Sequence, residues 1–588
     1  MMVVERFYTP GLAQVAYGVA DADAKVVAIV DPRRDIDEYM AWAEAHGYRI
    51  VAILETHVHA DFVSGARELA AATGATVYAG RIGETEFPHQ PLDDGDVVPV
   101  GHLRLQALWS PGHTPEHISY LLFDPAVTDQ PLALFSGDVL FAGEIGRPDL
   151  LGPARTGGLI EQLYETITNR LATLPDAVVV YPGHGAGSPC GKKIGDAAMT
   201  TIGQEKLANY AFQARAKDDF IRVVMEGMPK PPSYYPTMKR INKLGPVLLR
   251  DLPPSEPLSP RQLVARQEAG ALVIDARPAS AFDREHIPGA INVALGPSFV
   301  IWAGWVAPDG QDVVLVLPDE AQLADTLTEL RRIGIDRVTG HLRGGLEAWK
   351  ASGRPMASLS ELSVQELATR LGVSDQDLAV LDVRDPSEWA AGRITGARNL
   401  FAGAIAGGAL PELEQDMPVA VICGTGYRSN VAASILQKSG LNRVYAIPGG
   451  MSAWSDAGLP VEAGKPGETK VQTGRQAGPW AGHDSARAPE IEVSELRRHV
   501  SLQPVQIVDV RDPEEWTQGH IPGSVLLPMT ELGYRIDELD RALPVVTVCR
   551  IGMRSLMSAD ELLRAGFSDV RSLSGGIIAW RDAGYPVE

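Results

Sequence analysis

The chain has 588 residues, more than one hydrophobic core supports, so roughly three to five domains of about 100–200 residues are expected. Its 45% apolar and 22% charged residues mark a globular protein, and no apolar run approaches the roughly 20 residues of a membrane helix. A formal charge of −21 excludes nucleic acid as a partner, because phosphate binding needs clustered Lys and Arg. Three widely spaced cysteines, Cys190, Cys423 and Cys549, fit a reducing compartment better than a disulfide framework. Residues 1–30 lack the basic start and cleavage site of a signal peptide, so a cytoplasmic location is expected.

Residues 1–250 alternate apolar runs such as KVVAIVDP, YRIVAILET and AVVVYPGHG with helical stretches such as ARELAAATG, an α/β pattern. Four runs end in metal-ligand residue types: Thr-His-Val-His-Ala-Asp at 56–61, Pro-Gly-His-Thr at 111–114, Ser-Gly-Asp at 136–138 and Pro-Gly-His-Gly at 182–185. Strand ends converging on one sheet edge would bring together His57, His59, Asp61, His113, Asp138 and His184, a metal-binding set.

This segment resembles the metallo-β-lactamase superfamily, whose HxHxDH motif is met here except at its last residue, where Phe62 stands. In the superfamily that His helps hold a second metal, and Phe has no donor atom, so one metal is expected rather than a dinuclear zinc site. The segments THVHADFVSG, SPGHTPEHISY, GDVLFAGEIGRPDL and TTIGQEK are similar to those of persulfide dioxygenases. That resemblance implies a mononuclear Fe(II) held by His57, His113 and Asp138, two imidazoles and one carboxylate that leave open positions for O2 and substrate. His59, Asp61 and His184 would orient ligands or water, or are remnants of a lost second metal site. Arg147 would bind a substrate carboxylate, such as one of glutathione, or form a structural ion pair. Cys190, six residues past His184, is read either as a relay thiol or as a small packed residue.

After residue 250 one unit occurs three times. Its first half reads VIDARPASAFDREHIPGAINV from Val273, VLDVRDPSEWAAGRITGARNL from Val380 and IVDVRDPEEWTQGHIPGSVLL from Ile507. Its second half reads LRGGLEAWKASGRP from Leu342, IPGGMSAWSDAGLP from Ile447 and LSGGIIAWRDAGYP from Leu573. The units cover 258–356, 360–462 and 489–588, with a Gly-, Pro- and charge-rich linker over 463–488. These signatures resemble rhodanese domains, which implies a Cys opening a loop of inward N–H groups, closed by an Arg. Such a nest plus a cation favours thiolate. Cys423 with Arg428 and Cys549 with Arg554 match, and the six-residue loops resemble those of sulfur-transferring members. The Gly-Gly marker lies 26 residues after Cys423 and after Cys549, and counting back 26 in repeat one reaches Pro318, with Leu323 at the Arg position. Repeat one therefore lacks a nucleophile and is read as a spacer or docking surface.

The expected fold is multidomain α/β, a metallo-β-lactamase αββα sandwich followed by three rhodanese-like α/β domains. The expected function is Fe(II)-dependent oxidation of a low-molecular-weight persulfide such as glutathione persulfide to sulfite, coupled to sulfur transfer that forms or consumes thiosulfate. Partners are then the persulfide, O2, and sulfite or thiosulfate, without nucleic acid or membrane, and a homo-oligomer is compatible with the sequence. A dinuclear zinc thioester hydrolase of glyoxalase II type and a non-catalytic sulfane-sulfur carrier or sensor are the alternatives.

Overall fold

A computed structural model describes residues 1–588 except 215, 373–377, 412, 414–415, 463–488, 492, 503–504, 512, 518, 529–531, 542, 550–554, 556–557, 560–561, 564 and 566. The linker expected over 463–488 and Arg554 lie outside the described residues. The chain divides into two compact units, Met1–Gly482 and His483–Glu588. Among the described residues no helix is long and apolar enough to cross a membrane.

The N-terminal part of the first unit is built on two six-stranded sheets. The first holds Met2–Thr9, Gln14–Asp21, Val26–Val30, Arg49–Leu54, Thr76–Gly80 and Gln90–Leu92 in chain order. The second runs Thr200–Thr201, Val179–Pro182, Ala133–Gly137, Ile118–Phe123, Leu103–Trp109, Val97–Val100. Strand alternation gives each sheet an inner apolar face. Tyr17, Val19 and Ala28 of the first meet Leu105, Tyr120 and Phe135 of the second in one buried core. Their outer faces bury against helices, Asp37–His46 and Ala66–Thr73 on one side and Pro153–Glu165 on the other, which makes the expected αββα sandwich.

Each repeat forms a five-stranded sheet with every pair parallel. The strand beside the central one, Leu272–Asp275, Ala379–Asp382 or Gln506–Asp509, ends in the Asp of Asp-x-Arg. In repeat two the Arg384 Nε and Nη2 donate to Asp382 at 2.9 and 2.6 Å, and Nη2 also donates to the Gly392 carbonyl at 2.6 Å. Arg277 on Asp275 and Arg511 on Asp509 repeat this arrangement, each also reaching a carbonyl eight residues on. The Trp of each second half donates its indole N–H at 2.9 Å to a Pro carbonyl six residues later, as Trp349 to Pro355, Trp454 to Pro460 and Trp580 to Pro586.

The register corrects one assignment. Asp275 pairs with Val316 and Asp382 with Ile422, so Val316 matches Ile422 and the residue that follows, Leu317, occupies the Cys423 position. The marker count had reached Pro318 and Leu323, one residue too far, because Val338 to Gly344 spans one residue more than Val444 to Gly449. Gln322, not Leu323, then matches Arg428. The conclusion that repeat one has no thiol is unchanged.

Within the first unit one apolar core extends from Leu12, Phe62 and Tyr235 through repeat one into repeat two. The helix Phe299–Val306 is its centre: Tyr234 packs on Gly304, while Trp305 lies edge-on to Phe401 at 5.6 Å. Repeats one and two also meet along Tyr427–Lys438, where Asn430 Nδ2 donates to Asp283 at 2.6 Å and the Tyr427 hydroxyl to the Ala294 carbonyl at 2.8 Å. Burial, with Glu361 alongside, pushes the Asp283 carboxyl up to about 7 although Asn430 donates to it. The folded chain thus keeps a proton that the unfolded chain, with its ordinary value near 3.8, has released. Stability from this group is full below that ordinary value and is lost as pH rises through about 7. Thermal unfolding followed across that range should show a falling midpoint, and Asp283→Asn should flatten the fall.

Candidate functional site

The residues expected as metal ligands stand where strands of the two sheets end. Val26–Val30 delivers Asp31, whose carboxylate accepts the Thr56 N–H at 2.7 Å and the Thr56 hydroxyl at 2.8 Å. The Thr56 oxygen in turn accepts from His57 Nδ1 at 2.9 Å. His113 Nδ1 donates to the Arg147 carbonyl at 2.9 Å. In both rings the proton is thereby fixed on Nδ1 and the lone pair on Nε2. Burial, reinforced for His57 by His59 and His113 and for His113 by His117, pushes both imidazoles well below their usual range, so they are neutral.

His57, His113 and Asp138 form a buried group whose ligand atoms all lie within 4.8 Å of one another. Asp138 Oδ2 is 3.9 Å from His57 Nε2 and 3.6 Å from His113 Nε2. These spans approach twice the usual metal–nitrogen distance of about 2.0–2.1 Å, so one ion fits between the three atoms. The same three atoms are buried without any hydrogen-bond partner, which a folded protein tolerates only where something else satisfies them. The expected triad is thus brought together and fits a single metal.

His184 lies between two carboxylates, with Nδ1 2.8 Å from Asp138 Oδ1 and Nε2 2.7 Å from Asp61 Oδ2. Burial opposes its charge, but Asp138 and Asp61 win and push it up to about 10. Both ring nitrogens are engaged, so it has no lone pair for a metal in this arrangement. His59 places Nε2 3.1 Å from Asp31, which outweighs burial and pushes it up to about 9, while Nδ1 stays without a partner. Phe62 is fully buried with its ring 4.3 Å from that of His59, and Asn242 pins this turn through the carbonyls of His59 and Phe62 at 2.9 and 2.7 Å.

Asp31 and His117 were not singled out from sequence. Asp31 ends an apolar run as the expected ligands do, and His117 sits four residues past His113. His117 Nε2 accepts the Asp138 N–H at 3.1 Å, Ser110 takes its other nitrogen at 2.9 Å, and burial pushes it down to about 3. Two glycines let these groups crowd together. A Cβ on Gly146 would lie 1.7 Å from the Asp138 carbonyl, and Gly137, at φ 50°, would put one 2.6 Å from Thr56 Oγ1. The TTIGQEK segment supports the same loop from behind: Glu205 accepts from Gly143 N at 3.1 Å, Thr200 at 2.8 Å and Asn209 at 2.7 Å, and Asn209 donates to the Glu144 carbonyl.

Arg147 is fully buried. Its guanidinium holds Asp149 at 2.7 and 2.9 Å and the carbonyls of Pro189 and Pro229 at 3.0 and 2.5 Å. Cys190 is 1% exposed, within 4.8 Å of ligand atoms of Asp61 and His184, with Sγ 3.8 Å from the Tyr235 hydroxyl. Burial, then the charges of Asp61 and Asp138, push its thiol well above the usual range.

In repeat two Cys423 is buried just past Val419–Ile422 and its sulfur accepts the Gly426 N–H at 3.1 Å. Arg428 forms a two-pronged pair with Glu388 at 2.6 and 2.8 Å, which holds that carboxyl below its usual range against the opposing effect of burial. Cys549 follows Val545–Val548 in the same way, and its carbonyl accepts Ile577 N at 2.8 Å as that of Cys423 accepts Met451 N at 2.7 Å. Repeat one has Leu317, Gln322 and Ala281 where repeat two has Cys423, Arg428 and Glu388, so all three parts of the thiol loop are gone together.

The family model for the metallo-beta-lactamase superfamily matches residues 11–184, and the rhodanese-like domain matches 259–352, 363–457 and 492–583. A hydroxyacylglutathione hydrolase of Polaromonas sp. (strain JS666) is 36% identical over 190 residues, 31% of this chain and 66% of that protein, so the chain spans just under two thirds of it. A probable metallo-hydrolase of Burkholderia pseudomallei (strain 1710b) is 30% identical, over 37% of this chain and 84% of its own length. The solved metallo-beta-lactamase from Staphylococcus aureus subsp. aureus COL is similar over 58% of this chain and 99% of its own, at 33% identity and a TM-score of 0.54. With this geometry and these likenesses, the chain belongs to the metallo-beta-lactamase superfamily and carries three rhodanese-like domains behind that domain.

Proposed function

We propose that the chain oxidises a low-molecular-weight persulfide at a single Fe(II) and transfers sulfane sulfur through Cys423 and Cys549. The observation that carries this reading is the donor set of His57 Nε2, His113 Nε2 and Asp138 Oδ2, buried and unpartnered, with His184 tied up by Asp138 and Asp61. Two imidazoles and one carboxylate suit Fe(II), which when bound supplies open positions for persulfide sulfur and O2. The overall reaction, R–S–SH with O2 and water giving R–SH, sulfite and two protons, balances without a further reductant. Thr56 and the Arg147 carbonyl hold the imidazole tautomers, and His184 holds Asp138 Oδ1 while Oδ2 stays beside His57 Nε2 and His113 Nε2, the three atoms that would hold the ion. A glutathione carrier is supported by the relatives named as hydroxyacylglutathione hydrolases. At Cys423 the thiolate attacks the outer sulfur of thiosulfate, the S–S bond breaks, and sulfite leaves while the sulfur stays as Cys423 persulfide. The opposite direction forms thiosulfate.

A dinuclear zinc hydrolase is the second reading, favoured by the same relatives and by the unpartnered Asp61 Oδ1 beside His184 and Cys190. Protein purified without oxygen should contain one iron per chain and consume O2 on addition of glutathione persulfide. Two zincs per chain with thioester hydrolysis and no O2 uptake would replace the proposal with its rival. His113→Ala and Asp138→Ala should each abolish metal content and O2 uptake together. Asp31→Ala, acting through Thr56, should weaken metal affinity by about 10–100-fold in a competition assay. The double variant Cys423→Ser and Cys549→Ser should retain O2 uptake and lose thiosulfate chemistry.

A further inference from the structure

Repeat one has lost its thiol loop, yet the helix that follows that loop, Leu323–Arg332, runs to the loops of the metal centre. At its C-terminal end the Arg332 carbonyl accepts the N–H of Val63, the residue after Phe62, at 2.6 Å. The Arg332 guanidinium holds Asp35 at 2.8 and 2.6 Å. Just beyond the helix, Asp336 takes both terminal nitrogens of Arg34 at 2.5 and 3.0 Å, and the Arg331 carbonyl accepts a further bond from Arg34 at 3.2 Å. The Arg34 side chain is 1% exposed and that of Asp336 23%, so the arginine end of the pair is buried while the carboxylate stays half-buried.

The gripped residues belong to the segments that set the metal ligands. Arg34 and Asp35 follow Asp31, which orients Thr56 and His59. Val63 closes the turn that begins at His57. The two segments are themselves stitched, Gly65 N donating to the Pro32 carbonyl at 2.7 Å. Two residues before the matching strands of repeats two and three stand Asn442 and Ser568, so the acid at Asp336 is peculiar to the copy without a thiol.

We propose that repeat one is a clamp for the metal centre, with Asp336 and Arg332 as positioning residues that hold the Asp31 and His57–Val63 segments together. This inference rests on the reading of His57, His113 and Asp138 as metal ligands, though not on which metal they hold. It gives the degenerate copy a function other than spacing: the rigidity of the donor set is supplied from a neighbouring domain rather than from the sandwich alone.

The test uses the full-length, metal-loaded chain and reads the rate at which a chelator strips the metal under anaerobic conditions. Asp336→Ala should release metal at least about tenfold faster than the parent. Arg332→Ala, which keeps the carbonyl bond to Val63, should show a smaller acceleration and is the variant to rely on if Asp336→Ala fails to fold. Asp336→Glu should restore most of the retention. The rate of Cys423 alkylation should stay unchanged throughout, whereas general loosening of the first unit would raise it. Equal metal release by parent, Asp336→Ala and Arg332→Ala would overturn the clamp, as would faster release accompanied by faster alkylation in proportion. A parent chain that binds no metal would instead defeat the reading on which the clamp rests.

Discussion

The candidate metal centre depends on where the protons of its imidazoles are held. His57 and His113 each spend Nδ1 on an oxygen of their own chain, Thr56 Oγ1 and the Arg147 carbonyl, so each presents a bare Nε2 to the same small volume as Asp138 Oδ2. Asp31 fixes the first of these by taking both N–H and O–H of Thr56, and the loop around Gly146 fixes the second. Burial keeps both rings neutral, which a metal ligand requires. Remove these anchors and three unsatisfied polar atoms would lie in an apolar interior with no defined geometry.

His184 sits between two carboxylates. In this chain it bonds through one ring nitrogen to Asp138 and through the other to Asp61, while Asp61 Oδ1 keeps no partner. Phe62 packs its ring on that of His59.

Much of this was legible from sequence because the ligands end apolar strands. His57, His113, Asp138 and His184 each sit at such an end, and the repeated Asp-x-Arg and Ala-Trp markers record ion pairs and indole hydrogen bonds made in every copy. Asp31 also ends an apolar run, but its role runs through Thr56, a contact between two strands that the run itself does not encode. The position matching Cys423 was misplaced by one residue, from Leu317 to Pro318, because a marker count cannot detect the extra residue between Val338 and Gly344 that the strand register reveals. The grip of Asp336 on Arg34 joins residues 302 apart in the chain and leaves no trace in either segment alone.

The proposed division of chemistry between the sandwich and the thiol loops requires a single metal per chain. The direct measurement is calorimetric titration of the metal-free chain with Fe(II), and separately with Zn(II), under anaerobic conditions. One site per chain for either ion, abolished in His113→Ala, is the predicted result. Two sites per chain, the second lost on Asp61→Ala, would contradict the account.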